Sequence, residues 1–324
     1  MRKFSTILVA AFIALGMSVS PVDASNVVEM NKGQNIQIFS VDNSSGAITD
    51  KTVNKAFEES GLIVDVNNNM NSLFSKRYNK IHHKTYFLAI FRNDALILKL
   101  INKYPTIGLL TPLSMSIYSN DAKNTINIST LSLTGMARVT QIPATDPDLI
   151  EYARLIDVAL HKALPNGVYL PLNYAVKSQD KSLTTEFTTE FDLEDGGTYA
   201  DAKQAFEEEL ESELEPLGFV IPKSYNLQED LLEKNGQDDY DFYDTYSICK
   251  FNVIFPVSKD HPEAGAFAPC SLFIYKKKDD DTVHIGFPSV ENWIENLDIS
   301  DEESIKALRS SQAMIVKILN DVTE

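Results

Sequence analysis

The feature that most constrains this chain is a stretch near residue 105 that returns near residue 262. Pro105-Thr-Ile-Gly108-Leu-Leu-Thr-Pro112-Leu-Ser114-Met-Ser-Ile117-Tyr118 aligns without a gap on Pro262-Glu-Ala-Gly265-Ala-Phe-Ala-Pro269-Cys-Ser271-Leu-Phe-Ile274-Tyr275. The offset is 157 residues throughout (265 − 108, 275 − 118), and it continues through Thr125/Thr282, Ile126/Val283 and Ile128/Ile285. Eight of the 26 pairs from 105 to 130 are identical. Solenoid units recur every ~20–50 residues, so a period this long is a whole domain. The chain is expected to use one fold twice, each copy closing its own apolar interior beneath a terminal helix.

The N-terminus reads as an export signal. Arg2 and Lys3 precede an apolar run over 7–19, and Val22-Asp23-Ala24 puts small residues where a signal peptidase reads, so cleavage after Ala24 is expected. The run is too short to cross a bilayer, which takes about 20 residues. The domains expected are then 25–165 and 183–324, joined by a connector over 166–182. The connector holds Pro171, but also Tyr169, Leu170 and Tyr174, which is too apolar for a freely mobile linker.

The net charge of −17 becomes more negative once Arg2, Lys3 and Asp23 are removed. Such a surface repels phosphate, and no nucleic-acid partner is expected. An apolar content of 44% is that of a globular chain. No later segment reaches membrane-spanning length.

Both halves read as α+β. In the first, strands are expected at 35–41, 62–66, 85–91, 113–118 and 125–128. Helices are expected at 49–60, at 95–101 and from Asp146-Pro147, and an Asn-rich loop at 67–71. In the second, strands are expected at 183–191, 219–221, 246–255, 270–275 and 282–287. Helices are expected from Thr198 and from about Glu302. The second copy is expected to lack the helix matching 95–101, because 256–261 stands where 92–104 stands in the first. The acidic face of the helix after Thr198 (Glu207, Glu208, Glu211, Glu215) is read as solvated. The whole is two curved antiparallel sheets, each covered on one face by helices.

The repeat wording resembles the bacterial domain of unknown function 302 family. The second copy shows its pattern at Gly218-Phe219, Tyr246, Pro262, Glu263, Gly265, Pro269, Cys270 and Tyr275. The first copy keeps Gly61, Tyr86, Pro105, Gly108, Pro112 and Tyr118 but has Leu113 where the family has Cys. The resemblance implies two tandem copies, a fold akin to the TATA-binding-protein-like class and association of domain pairs, here as an internal pseudo-dimer in a monomer. It implies no known reaction.

The only cysteines are Cys249 and Cys270. Three readings stay open for them: a disulfide, two buried inert thiols, or a reactive or metal-binding thiol. Alternation on the expected strand places Cys249 with Phe251, Val253 and Phe255, and Cys270 with Leu272 and Ile274. The five histidines are scattered, and neither the Asp238–Asp244 nor the Asp279–Asp281 cluster has a calcium loop's spacing. Tyr118 and Tyr275 are read as matching parts of a groove or as sheet-face aromatics under a helix. Neither a serine-nucleophile elbow nor a phosphate-cradling glycine loop occurs.

The expected function is therefore non-catalytic: an exported protein, periplasmic in a Gram-negative host, binding a small apolar ligand or a protein partner without cofactor or metal. The alternatives are a thiol- or metal-dependent enzyme centred on Cys270, and a structural envelope component.

Overall fold

The computed structural model describes residues 34–120, 124–172, 184–191, 193 and 196–323. The expected export signal and most of the expected connector lie outside the described residues.

The first half contains β1 (Ile36–Asp42), α1 (Asp50–Glu58), β2 (Ile63–Asn69), α2 (Met70–Tyr78), β3 (Tyr86–Arg92) and α3 (Asp94–Leu100). A 3-10 turn, Pro105–Leu110, leads into β4 (Leu113–Asn120), β5 (Thr125–Leu131), α4 (Leu133–Thr140), α5 (Pro147–Ala163) and the short β6 (Val168–Tyr169). The second half contains β7 (Thr184–Glu190), α6 (Tyr199–Leu214), β8 (Phe219–Asn226), β9 (Tyr240–Lys250) and α7 (Phe251–Asp260). The 3-10 turn Pro262–Ala266 follows, then β10 (Cys270–Lys277), β11 (Thr282–Pro288), α8 (Glu291–Asn296) and α9 (Glu302–Thr323).

The caps show why helices begin where they do. Thr49 and Thr198 each accept a backbone N–H three residues on, and Thr52 and Asp201 reach back to complete capping boxes. Asp146 accepts from Asp148 and Leu149, with Pro147 at the first helical position.

Four helices depart from the expectation: α4 and α8 fall where no helix was expected, and α2 and α7 fall on segments read otherwise. The Asn-rich loop is the end of β2 plus the start of α2, where the Asn69 side chain accepts from Ser72 N at 3.1 Å. The helix expected to be lost from the second copy is present as α7. The strand expected at 246–255 instead ends at Lys250. Phe251–Asp260 is rich in β-branched and aromatic residues and contains Pro256, which together suggest a strand. Its core-facing residues Val253, Ile254 and Val257 nevertheless fall at helical spacing. The Asn252 carbonyl that Pro256 cannot serve lies at an exposed residue, where water can reach it. The 157-residue register thus holds without a gap from Tyr86/Tyr243 onward: Tyr86 pairs with Tyr118 as Tyr243 pairs with Tyr275.

Each half has an antiparallel sheet. One runs β2-β3-β4-β5-β1-β6 and the other β8-β9-β10-β11-β7, so the first five positions follow the same order. The helix-covered face of the second sheet has its own core, with Leu272, Ile274, Val283 and Ile285 packed on Phe206, Leu210 and Leu319. The other core runs continuously through the first half and across to Tyr243, Ala264, Phe273 and Tyr275. The expectation of two separately closed interiors therefore holds for the second helix-covered core and not for the first.

The contacts between the halves are reciprocal. The turn Pro262–Ala266 lies on β4 and β5, and the turn Pro105–Leu110 lies on β10 and β11. Ser114 donates to the Pro269 carbonyl at 2.8 Å, and Ser271, its partner by register, donates to the Pro112 carbonyl at 2.8 Å. All four residues are buried. Ser114→Ala and Ser271→Ala each strand a buried carbonyl, so each should cost about 1–2 kcal/mol of unfolding free energy. Urea titration checks this, and losses differing severalfold between the two would contradict the reciprocity.

Candidate functional site

The repeat residues converge on the seam between the halves rather than on an open site. Gly108 and Gly265 occur where a turn meets the opposite sheet. A Cβ on Gly265 would stand 2.4 Å from Ser116 Cβ and 2.5 Å from Leu88 Cδ2, and one on Gly108 would stand 2.9 Å from Phe273 Cβ. The Gly108 N–H donates to Tyr243 Oη at 3.1 Å, and that hydroxyl donates to the Pro105 carbonyl. The carbonyl of Pro262, Pro105's partner by register, accepts instead from Ser116 at 2.8 Å. Pro112 and Pro269 both follow cis peptide bonds. Tyr118 and Tyr275 project from the seam side of their sheets, so the reading that places them under a helix is corrected. Tyr275 packs with Tyr240, Tyr243 and Phe273 at ring-centroid distances of 5.7, 5.2 and 5.5 Å.

Cys249 and Cys270 are both free thiols. Cys270 stands opposite Ile248, one residue out of register with Cys249, so strand alternation directs the two side chains to opposite sheet faces. Because β9 ends at Lys250, Cys249 does not share a strand face with Phe251, Val253 and Phe255. Burial pushes each thiol up to about 12; at Cys270 the neighbouring Trp293 indole is a smaller opposing influence. A thiol that stays protonated is a poor nucleophile and a poor metal ligand. Alkylation of the folded protein at pH 8 should be on the order of a thousandfold slower than that of an unperturbed thiol with pKa ≈ 8.5. Its rate should rise about tenfold per pH unit up to pH 10, and denaturation without reductant should release two reactive thiols. Fast labelling of Cys270 in the native protein would contradict this environment.

Cys270 lines a cleft between the helix-covered face of the second sheet and helices α7, α8 and α9. Ile248, Leu272, Val253, Trp293, Leu308 and Ile315 contribute most of its apolar wall, around a free volume of about 50 Å³. Two polar groups stand in that wall without an ordinary partner. Lys250 is 7% exposed, and its ammonium meets the Met314 sulfur at 3.1 Å and the Phe219 ring at 4.4 Å from the centroid. Among the described residues no carboxylate lies within ion-pair distance of it. Burial lowers its pKa from the ordinary lysine value. The Trp293 indole N–H is also buried and meets no acceptor but the weakly accepting Cys270 sulfur beside it, while its ring stacks on Phe267 at 5.9 Å.

Sequence reasoning singled out neither residue. A lone lysine inside Ser-Ile-Cys-Lys-Phe-Asn-Val-Ile-Phe was the available signal. The register makes it sharper: the position matching Lys250 is Asn93, which caps α3 by accepting from Leu96 N at 2.9 Å. Lysine has no acceptor, and α7 begins without a side-chain cap.

Other polar groups find partners within the protein. Arg92 pairs with Asp65 at 2.6 Å and Asp94 at 2.7 Å, and Lys276 pairs with Asp241 at 2.7 Å. Asp157 accepts from Tyr169 Oη at 2.5 Å and lies 3.3 Å from His161. His284 stacks on Tyr275 at 4.8 Å, and His83 bonds the Ser258 carbonyl at 2.5 Å. Among the described residues no group of three or more His, Cys, Asp or Glu is placed to hold a metal ion, and no helix is long and apolar enough to cross a membrane.

No curated protein matches the chain. The crystal structure of an uncharacterized conserved protein DUF302 from Bacillus stearothermophilus aligns with a TM-score of 0.34 and 18% identity, over 43% of this chain and 98% of that one. The family model described as domain of unknown function DUF302 matches residues 198–322, a span that contains every residue lining the cleft.

Proposed function

We propose that this is an exported, non-catalytic binding protein that holds a small apolar ligand in the cleft beneath α9. The observation that carries the reading is the cleft itself: an almost wholly apolar wall around free space, with Cys270, Lys250 and Trp293 standing in it. Its architecture is proposed to be an internal pseudo-dimer of two tandem DUF302-like modules of the TATA-binding-protein-like class. The matching strand order and the reciprocal Ser114 and Ser271 bonds support that arrangement. Export, to the periplasm in a Gram-negative host, is supported by the charged start and apolar run at the N-terminus. Protein recovered from its own host should then begin at Ser25, which intact-mass measurement checks.

Cys270 faces the cleft, as a thiol-dependent enzyme would require, but its protonated state suits a wall residue better than a nucleophile. Trp293 is the chain's single tryptophan and lines the cleft, so its emission reports occupancy. Hexan-1-ol should shift that emission saturably, and Ser311→Phe, which fills the cleft, should abolish the response. A linear, unsaturable response in the wild type would overturn the ligand-binding reading.

A further inference from the structure

We propose that the cleft selects apolar ligands bearing a carboxylate, with Lys250 and the Trp293 indole N–H as its receptors. The inference rests on the cleft reading above and names the ligand's head group. An isolated ammonium withdrawn from water is costly unless it meets an anion, and a buried donor without an acceptor carries a desolvation cost of its own. Proteins keep such groups where a partner arrives from outside. Lys250 is 7% exposed, and among the described residues its ammonium has a thioether and a ring as partners and no carboxylate. By contrast, the more deeply buried Lys276 has Asp241 at 2.7 Å, and Lys203 has Asp244 at 3.1 Å. Trp293 supplies a second donor in the same wall, buried with only the weakly accepting Cys270 sulfur beside it.

The chemistry of the pair specifies the ligand class. Both groups only donate, so a ligand that only donates gains nothing from them, and a carboxylate offers two oxygens with several acceptor sites. Its charge also answers the ammonium, forming a charge-assisted bond in an apolar surround where such bonds are strong. The remaining wall is aliphatic and aromatic, which suits a short hydrocarbon tail.

Calorimetric titration of the full-length mature protein with hexanoate and hexan-1-ol, two probes with the same tail, tests this. The wild type should bind hexanoate at least about tenfold more tightly than hexan-1-ol. Lys250→Met should bring the ratio to about one while leaving hexan-1-ol affinity within about twofold. Lys250→Gln, which keeps a donor without charge, should behave similarly and guards against a folding defect in the first variant. Trp293→Phe should weaken hexanoate severalfold and hexan-1-ol little. Equal binding of the two probes by the wild type, or a preference that survives both Lys250 variants, overturns the carboxylate assignment and leaves the cleft reading standing. Binding of neither probe removes the cleft reading and this inference with it.

Discussion

Gly265→Ala is expected to lower the unfolding free energy by about 2–3 kcal/mol, the usual cost of overpacking a closed interior. The backbone at Gly265 is ordinary, so the cost is one of space alone. The new methyl would press on Ser116 Cβ at 2.4 Å and Leu88 Cδ2 at 2.5 Å, both from the other half. Ser116 has little freedom to move: its hydroxyl donates to the Pro262 carbonyl at 2.8 Å and shares a 2.7 Å bond with Ser129. The turn must therefore lift from β4, loosening the seam. Urea titration should show a lower midpoint with an unchanged slope. A loss below about 0.5 kcal/mol would mean that the turn is not seated on the opposite sheet.

Tyr243→Phe should cost about 2–4 kcal/mol, although it removes a single oxygen. That oxygen serves two main-chain groups at once, accepting from Gly108 N–H and donating to the Pro105 carbonyl, in a fully buried place. Burial holds the phenol well above its ordinary pKa, which keeps it a donor. The variant leaves both partners dry and unpaired, which is worse than never having had them. Calorimetric melting measures the loss, and amide exchange at Gly108 should accelerate in step. A near-neutral Tyr243→Phe would show that water reaches the seam.

Much of the fold was legible because its signals are local. Thr49, Thr198 and Asp146 mark helix starts by side-chain chemistry that acts within three residues. The sheet strands alternate or run apolar between turn residues, and the hairpin pairing Ile274 with Ile285 follows from its turn. The element at 251–260 was misread because its composition favours a strand, whereas its helical state depends on Val253, Ile254 and Val257 finding a core that other elements build. That error hid the gapless register, and with it the position of Lys250 at the end of β9.

The candidate site was less legible than the fold. Cys270 was visible as a rare residue, but its high thiol pKa is a property of what surrounds it. Lys250 looks like any other lysine until its neighbours prove to be Met314, 64 residues along the chain, and Phe219. Trp293 is ordinary in sequence, and only the fold buries its N–H with no better acceptor than the Cys270 sulfur.

The amino-acid order alone determined the repeat, the α+β class, the helix starts and most strands, because these depend on periodicity, caps and turns within a few residues. Tertiary structure alone decided which faces meet at the seam, why Gly108 and Gly265 have no room for a side chain, and which lysine lacks an anion. Those properties depend on distances between residues far apart in the chain, and packing sets such distances.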